Sequence, residues 1–184
     1  MRTQVSSRAS GTRRVSPAVT RWGSPAGPVT VTTPCSTETS AETIAEKPAF
    51  RAAARERRCL IPASGFYEWT KDAEGTRFPW YFTRTDGAPL VFAGVWQDWE
   101  REGERLSTCA VVTTEAEGAI TAVHHRVPVI LEAADWPLWL GEAGHGAARL
   151  MTAPGPDVLR FHRVDPKVNS NRATGPDLIE PIET

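Results

Sequence analysis

Two short stretches carry side chains able to do chemistry near neutral pH. In Phe66-Tyr67-Glu68-Trp69 a carboxylate stands between large rings. Rings on either side exclude water, and desolvation raises a carboxyl pKa toward the range useful for proton transfer. Strand alternation also permits the opposite outcome, with Glu68 turned to water while its neighbours pack, and exposed strand carboxylates are the commoner case. The second stretch is His124-His125-Arg126-Val127-Pro128. It joins an imidazole that works near neutral pH to a guanidinium suited to phosphate. The proline fixes the chain where a strand begins. Taken alone, this stretch also fits a turn with one satisfied histidine and a solvated arginine.

Other groups point to less. A metal centre would need His124, His125, His145 and His162 to converge. Adjacent histidines on an extended segment face opposite ways, so no metal site is expected. Cys35, Cys59 and Cys109 are odd in number and form no CxxC pair. Neither a zinc knuckle nor a disulfide framework follows, and a reducing, cytoplasmic setting is the simplest. Cys59 lies in an apolar run, where packing is the expected role. The seven tryptophans could stack on unpaired bases, but most fall inside apolar segments, and core packing is the default for each.

The elements that must position these groups come mainly from residues 41 onward. Lys47-Pro48 opens a helical pattern through Phe50, Ala53 and Ala54 to Arg57, with proline in the first turn and arginines at the end. Strands are expected at Cys59–Pro62, Gly65–Trp69, Pro79–Thr83, Leu90–Trp96, Thr108–Thr113, Val127–Leu131 and Val158–Val164. Asp86-Gly87 is a turn signal. Short helices are expected at Glu115–Val123, Ala133–Leu140 and Ala147–Met151. Short strands broken by single helices predict one α+β domain around a curved, mostly antiparallel, barrel-like sheet. Between Ser24 and Ser40, 11 of 17 residues are Ser, Thr or Pro. That stretch shows no period of 2 or 3.6, so residues 1–40 read as a divergent, irregular segment ahead of a domain at 41–184.

Composition narrows the function classes. No run approaches the roughly 18 apolar residues of a membrane helix, and the arginine-bearing N-terminus has no apolar region of a signal peptide. A membrane partner is not expected. Net charge is −1, which argues against a uniformly basic nucleic-acid binder. Residues 1–40 hold five arginines and one acid, leaving 16 basic and 21 acidic residues for the remainder. DNA binding by the folded part would need a local patch.

Taken in order, several segments resemble the SRAP (SOS response-associated peptidase) family. They are Ala41-Glu42-Thr43 with Glu46-Lys47-Pro48-Ala49-Phe50, Arg58-Cys59-Leu60-Ile61-Pro62-Ala63, Gly65-Phe66-Tyr67-Glu68-Trp69, Phe92-Ala93-Gly94-Val95-Trp96, Thr113-Thr114, the run His124 to Leu131, and Val168-Asn169 before Gly175-Pro176. The likeness covers roughly three-quarters of the chain. It implies abasic-site processing in single-stranded DNA during the DNA damage response. In the family an N-terminal cysteine offers a free α-amine beside its thiol. The amine condenses with the aldehyde of the opened deoxyribose, and the thiol closes a thiazolidine ring. An autoproteolytic peptidase activity and lyase-like reversal accompany this cross-link. By resemblance, proton transfer falls to Glu68 and His124 as catalytic residues. Arg126 and Thr113 match positions expected near the DNA backbone. No cofactor or metal is implied, and a monomer is expected.

The chain departs from the family at its start. Residue 2 is Arg, so methionine removal exposes no cysteine, and Cys35, Cys59 and Cys109 are internal. The family's Asn-Ala-Arg before Glu-Thr is replaced by Glu38-Thr39-Ser40, and a glutamate there would repel DNA phosphate. Arg21-Trp22-Gly23 resembles a family element, and likeness lapses only from there to Ala41. A shifted reading frame over residues 24–40, with the true start elsewhere, accounts for both departures; translating the encoding DNA in three frames tests it. The expectation for the chain as written is impaired cross-linking. The alternative is a catalytically inactive single-stranded-DNA-binding module or remnant.

Overall fold

The computed structural model describes residues 35–101 and 104–182; the side chains of residues 35–37, 99, 101 and 104–106 lie outside that description. The readings made for residues 1–34 therefore fall outside the described residues.

Two long strands, β5 (Leu90–Arg101) and β6 (Glu104–Glu115), form the antiparallel centre of the larger sheet. β2 (Arg58–Ala63) pairs antiparallel with β5. β1 (Cys35–Ser40) pairs parallel with the other edge of β6. β7 (Arg126–Pro128) continues along β6 beyond the end of β5, so Thr113 is flanked by Ser40 on one side and Pro128 on the other. The smaller sheet holds β3 (Phe66–Lys71), β4 (Arg77–Arg84) and β8 (Leu159–Arg163) in the order β3-β4-β8. Helices are short: α1 (Pro48–Glu56), α2 (Trp136–Leu140) and several 3₁₀ turns.

Alternation along the strands explains the layers. Phe92 and Val111 point between the two sheets, where they meet Phe66 and Phe82. The Phe66 and Phe82 rings stack at 4.8 Å, and Phe92 meets Phe66 edge-on at 5.8 Å. Ala93, Val95, Ala110 and Val112 point the other way, where Ala53 of α1 and Trp139 of α2 cover them. Arg58 closes the end of α1 by donating from Nη1 to the carbonyls of Ala54 and Arg55, which satisfies carbonyls left over at a helix C-terminus. The outer face of the smaller sheet, with Tyr67 and Tyr81, is covered by Val164, Val168 and Ile179.

The α+β class holds, with one difference of detail: among the described residues the strands divide into two facing sheets and close no barrel. A second difference is β1. Cys35–Ser40 has almost no apolar residues, so hydrophobic period cannot reveal it. Backbone pairing with β6 makes the strand, and its Thr39 is buried. β5 and β6 also run longer than expected, and the helix expected at Glu115–Val123 is only a 3₁₀ turn at Gly118–Ala122.

Candidate active site

β3 decides the environment of Glu68. Phe66 and Glu68 share the face turned between the sheets, while Tyr67 and Trp69 face the outer layer. Both faces of β3 are covered, so alternation does not send Glu68 to water. The residue is 6% exposed. Burial pushes its carboxyl pKa up to about 8; the negative charge of Glu38 adds to the rise, and a hydrogen bond with the Trp69 backbone opposes it.

His124 arrives from the larger sheet. The 3₁₀ turn before it anchors Ile120 in the core, and the His124 amide donates to the Ile120 carbonyl at 3.0 Å. Its Nδ1 lies 3.7 Å from Glu68 Oε1. That exceeds a direct hydrogen bond, and a shift of under 1 Å or one bridging substrate atom would join the pair. Nδ1 also lies 3.2 Å from both the amide nitrogen and the carbonyl oxygen of Arg126. The amide supports Nδ1 as an acceptor in neutral imidazole, and the carbonyl supports it as a donor once protonated. Burial is the main cause of a lowered His124 pKa, the charges of His125 and Arg126 lower it further, and the Arg126 carbonyl contact opposes them. The His124 and His125 rings sit 4.5 Å apart. They are not splayed to opposite faces, because the chain bends at His125 before β7 begins.

Beside this pair lies a second polar group. Arg126 Nη2 donates to Glu42 Oε2 at 2.8 Å and to the Thr113 carbonyl at 2.7 Å, with Thr113 Oγ1 at 3.4 Å. Glu42 also accepts from Thr114 Oγ1 at 3.0 Å, the Glu115 amide at 3.3 Å and Ser40 Oγ. The Arg126 guanidinium, foremost, holds the Glu42 carboxyl well below the usual carboxylate range. Glu38 behaves oppositely. Burial raises its pKa despite the nearby positive charges of Arg126 and His125.

Glu68 and His124 line a cavity of about 490 Å³ together with Trp69, Thr70, Lys71, Arg77, Ala122 and Val123. The Trp69 indole is fixed against the outer layer by a hydrogen bond from Nε1 to Asn169 Oδ1 at 2.7 Å. All four residues singled out in the sequence thus gather in one region. Thr113 is buried, and its carbonyl accepts from both Arg126 Nη2 at 2.7 Å and the Ala41 amide at 2.8 Å. Glu38, Glu42, Lys71 and Arg77 were not singled out as site residues. The Glu42–Arg126 pair spans 84 positions, a separation at which sequence shows no contact. Cys59 is far from reactive, since burial, with help from Cys109, pushes its thiol up to about 12.

The model of the SOS response associated peptidase (SRAP) family matches residues 3–171. The chain is 34% identical over 144 residues to the abasic site processing protein YoqW of Bacillus subtilis (strain 168), covering 76% of this chain and 64% of that protein. It is 31% identical over 173 residues to the abasic site processing protein HMCES of Rattus norvegicus, covering 77% of this chain and 48% of that protein. The chain therefore spans under two thirds of the length of these curated relatives. A crystal structure of a protein from Bacteroides thetaiotaomicron shares the fold with a TM-score of 0.73 at 24% identity, over 79% of this chain and 66% of that one. A crystal structure of a Bordetella bronchiseptica protein gives 0.61 at 26% identity, over 80% and 74%. On the family match, which spans nearly the whole sequence and includes the Glu68 and His124 segments, the chain belongs to the SOS response associated peptidase family.

Proposed function

We propose that this protein processes abasic sites in single-stranded DNA, with the aldehyde of the opened sugar entering the cavity between Glu68 and His124. The observation that carries the reading is the pairing of a buried carboxyl whose pKa is pushed up to about 8 with an imidazole whose pKa is lowered, 3.7 Å away. At neutral pH Glu68 keeps its proton and His124 lacks one. Glu68 then acts as the acid that protonates the carbonyl oxygen as it leaves, and His124 as the base that accepts a proton from the attacking group. Arg126, aligned by Thr113 and Glu42, borders the path of the sugar–phosphate backbone. An unpaired strand suits such a cavity because its sugar and base can be splayed out.

In this reading the residues around the cavity supply proton transfer and positioning, while the covalent bond belongs to an amine and thiol brought to the cavity. The half-buried, weakly acidic Cys59 does not serve. That observation favours a second reading, a module that recognises the damaged strand without cross-linking to it.

One experiment tests both. The purified protein is mixed with a single strand carrying one abasic site and with the intact strand, then resolved under native and denaturing conditions. A denaturation-resistant adduct with the abasic strand supports covalent processing. Native binding that prefers the abasic strand, with no adduct, supports the module. Binding to neither strand overturns both.

A further inference from the structure

We propose that Lys71 and Arg77 form a phosphate clasp at the mouth of the Glu68–His124 cavity, gripping the DNA backbone on the side of the smaller sheet. The inference rests on the single-stranded-DNA reading above and extends it to the course of the strand. Lys71 and Arg77 are direct partners across β3 and β4, both are exposed, and both line the cavity. Like charges directly opposite each other on two strands repel and weaken the pairing. Among the described residues no carboxylate forms an ion pair with either. The nearby Asp72 carboxylate is committed to the turn, where it accepts from the Thr76 amide at 2.7 Å. Two cations side by side, with no ion-pair partner among the described residues, suit an anion supplied from outside the protein.

The charge on the other side of the site points the same way. Glu38 and Glu42 lie there, and the Arg126 guanidinium is already paired with Glu42. A phosphodiester meets Glu38 and an already paired Arg126 beside β1, and at the β3–β4 hairpin it meets Lys71 and Arg77, which no described carboxylate pairs with, although Asp72 and Glu74 in the turn balance their formal charge. The arginine fork can take two oxygens of one phosphate, and the lysine ammonium can act as a point charge on the same or the adjoining one. A second basic concavity, lined by Arg51, Arg55 and Arg58, differs. There Arg51 donates to the carbonyls of Ala45 and Glu46, and Arg58 to those of Trp139, Ala54 and Arg55. Those groups fasten loops and the end of α1.

The test is fluorescence anisotropy of a labelled, intact single strand over a salt series. Wild type is compared with Lys71→Gln/Arg77→Gln, with the charge-retaining Lys71→Arg/Arg77→Lys, and with Arg55→Gln as a neutralisation elsewhere. Each released phosphate contact contributes about 0.7 to the slope of log affinity against log salt on single strands. The double neutralisation should flatten the slope by about 1.4 and weaken binding about tenfold at moderate salt. The charge-retaining and Arg55→Gln proteins should match wild type. Arg77→Gln alone, losing about half the slope change, keeps the test open should the double variant misfold. An unchanged slope and affinity in the neutralised proteins overturns the clasp while leaving DNA binding intact. Absence of any binding by wild type overturns the DNA reading and the clasp with it.

Discussion

Glu68 and His124 face one another across the gap between the two sheets, Oε1 to Nδ1 at 3.7 Å, the carboxyl carried by β3 and the imidazole by the loop before β7. The carboxyl is the better-buried member, with its side chain 8% exposed against 30% for the imidazole. Burial shifts the two pKa values toward neutrality of both groups. The result is an acid holding its proton beside a base free to take one.

That protonation state is directly observable. With its pKa pushed up to about 8, Glu68 should be protonated at pH 7. Infrared difference spectra between pH 6 and pH 9 should show loss of a protonated carboxyl band, and Glu68→Gln should abolish the part belonging to this residue. A Glu68→Gln spectrum identical to wild type would show an ionised Glu68 at pH 7.

The same shift makes stability depend on pH with a defined sign. Unfolded Glu68 ionises near 4.5 while folded Glu68 holds its proton to about 8. Between those values the folded state binds more protons, so stability falls as pH rises, by up to about 1.4 kcal/mol per pH unit for this one group. His124 acts oppositely at lower pH. Its folded pKa lies below 6.5, so its contribution is lost as pH falls below 6.5 and the unfolded imidazole takes up a proton first. Urea denaturation at pH 5, 6.5 and 8 should show Glu68→Gln gaining on wild type toward pH 8. A constant difference across the series contradicts the assignment.

Glu42 neutralises the nearest guanidinium. Glu42→Gln should strengthen binding of a single strand several-fold at low salt by freeing the charge on Arg126, whereas Arg126→Gln should weaken it. Because the Glu42 side chain is 43% exposed, solvent screening limits the stability loss to below about 1 kcal/mol. Anisotropy and thermal melting on the two variants check both parts.

Gly94 permits a close approach of β2 and β5. A Cβ there would sit 2.5 Å from Ile61 Cδ1 and 2.8 Å from Cys59 Sγ. Gly94→Ala should cost about 1–3 kcal/mol by overpacking. Pairing it with Ile61→Val, which removes the nearest methyl, should recover part of the loss in chemical denaturation.

Much of this arrangement was legible in the sequence, because apolar strands announce themselves by type and spacing. Phe66, Phe82 and Phe92 fall in segments expected to be strands, and all three reach the core. Glu68 shows the limit. Its neighbours suggested desolvation, but only a cover over both faces of β3 decides between burial and exposure; the larger sheet covers the Phe66 and Glu68 face, and Val164 and Ile179, far along the chain, cover the Tyr67 face. β1 was missed because its stability comes from pairing with β6, a partner some seventy residues away. Thr113, expected near the DNA backbone, is buried between Ser40 and Pro128, and its carbonyl accepts from Arg126 Nη2, a contact that sequence does not reveal. The basic pair Lys71 and Arg77 was invisible until the hairpin register brought the two side by side.

Glu68 and His124 are proposed to recognise the aldehyde of an abasic sugar. This role is tested most directly by comparing affinity for three single strands: intact, carrying a natural abasic site, and carrying a tetrahydrofuran analogue that lacks the aldehyde. Wild type should prefer the natural abasic strand over both others. Glu68→Gln/His124→Asn should bind all three equally, with affinity for the intact strand unchanged. A wild-type protein that does not distinguish the aldehyde from its analogue, or a double variant that keeps the preference, contradicts the account.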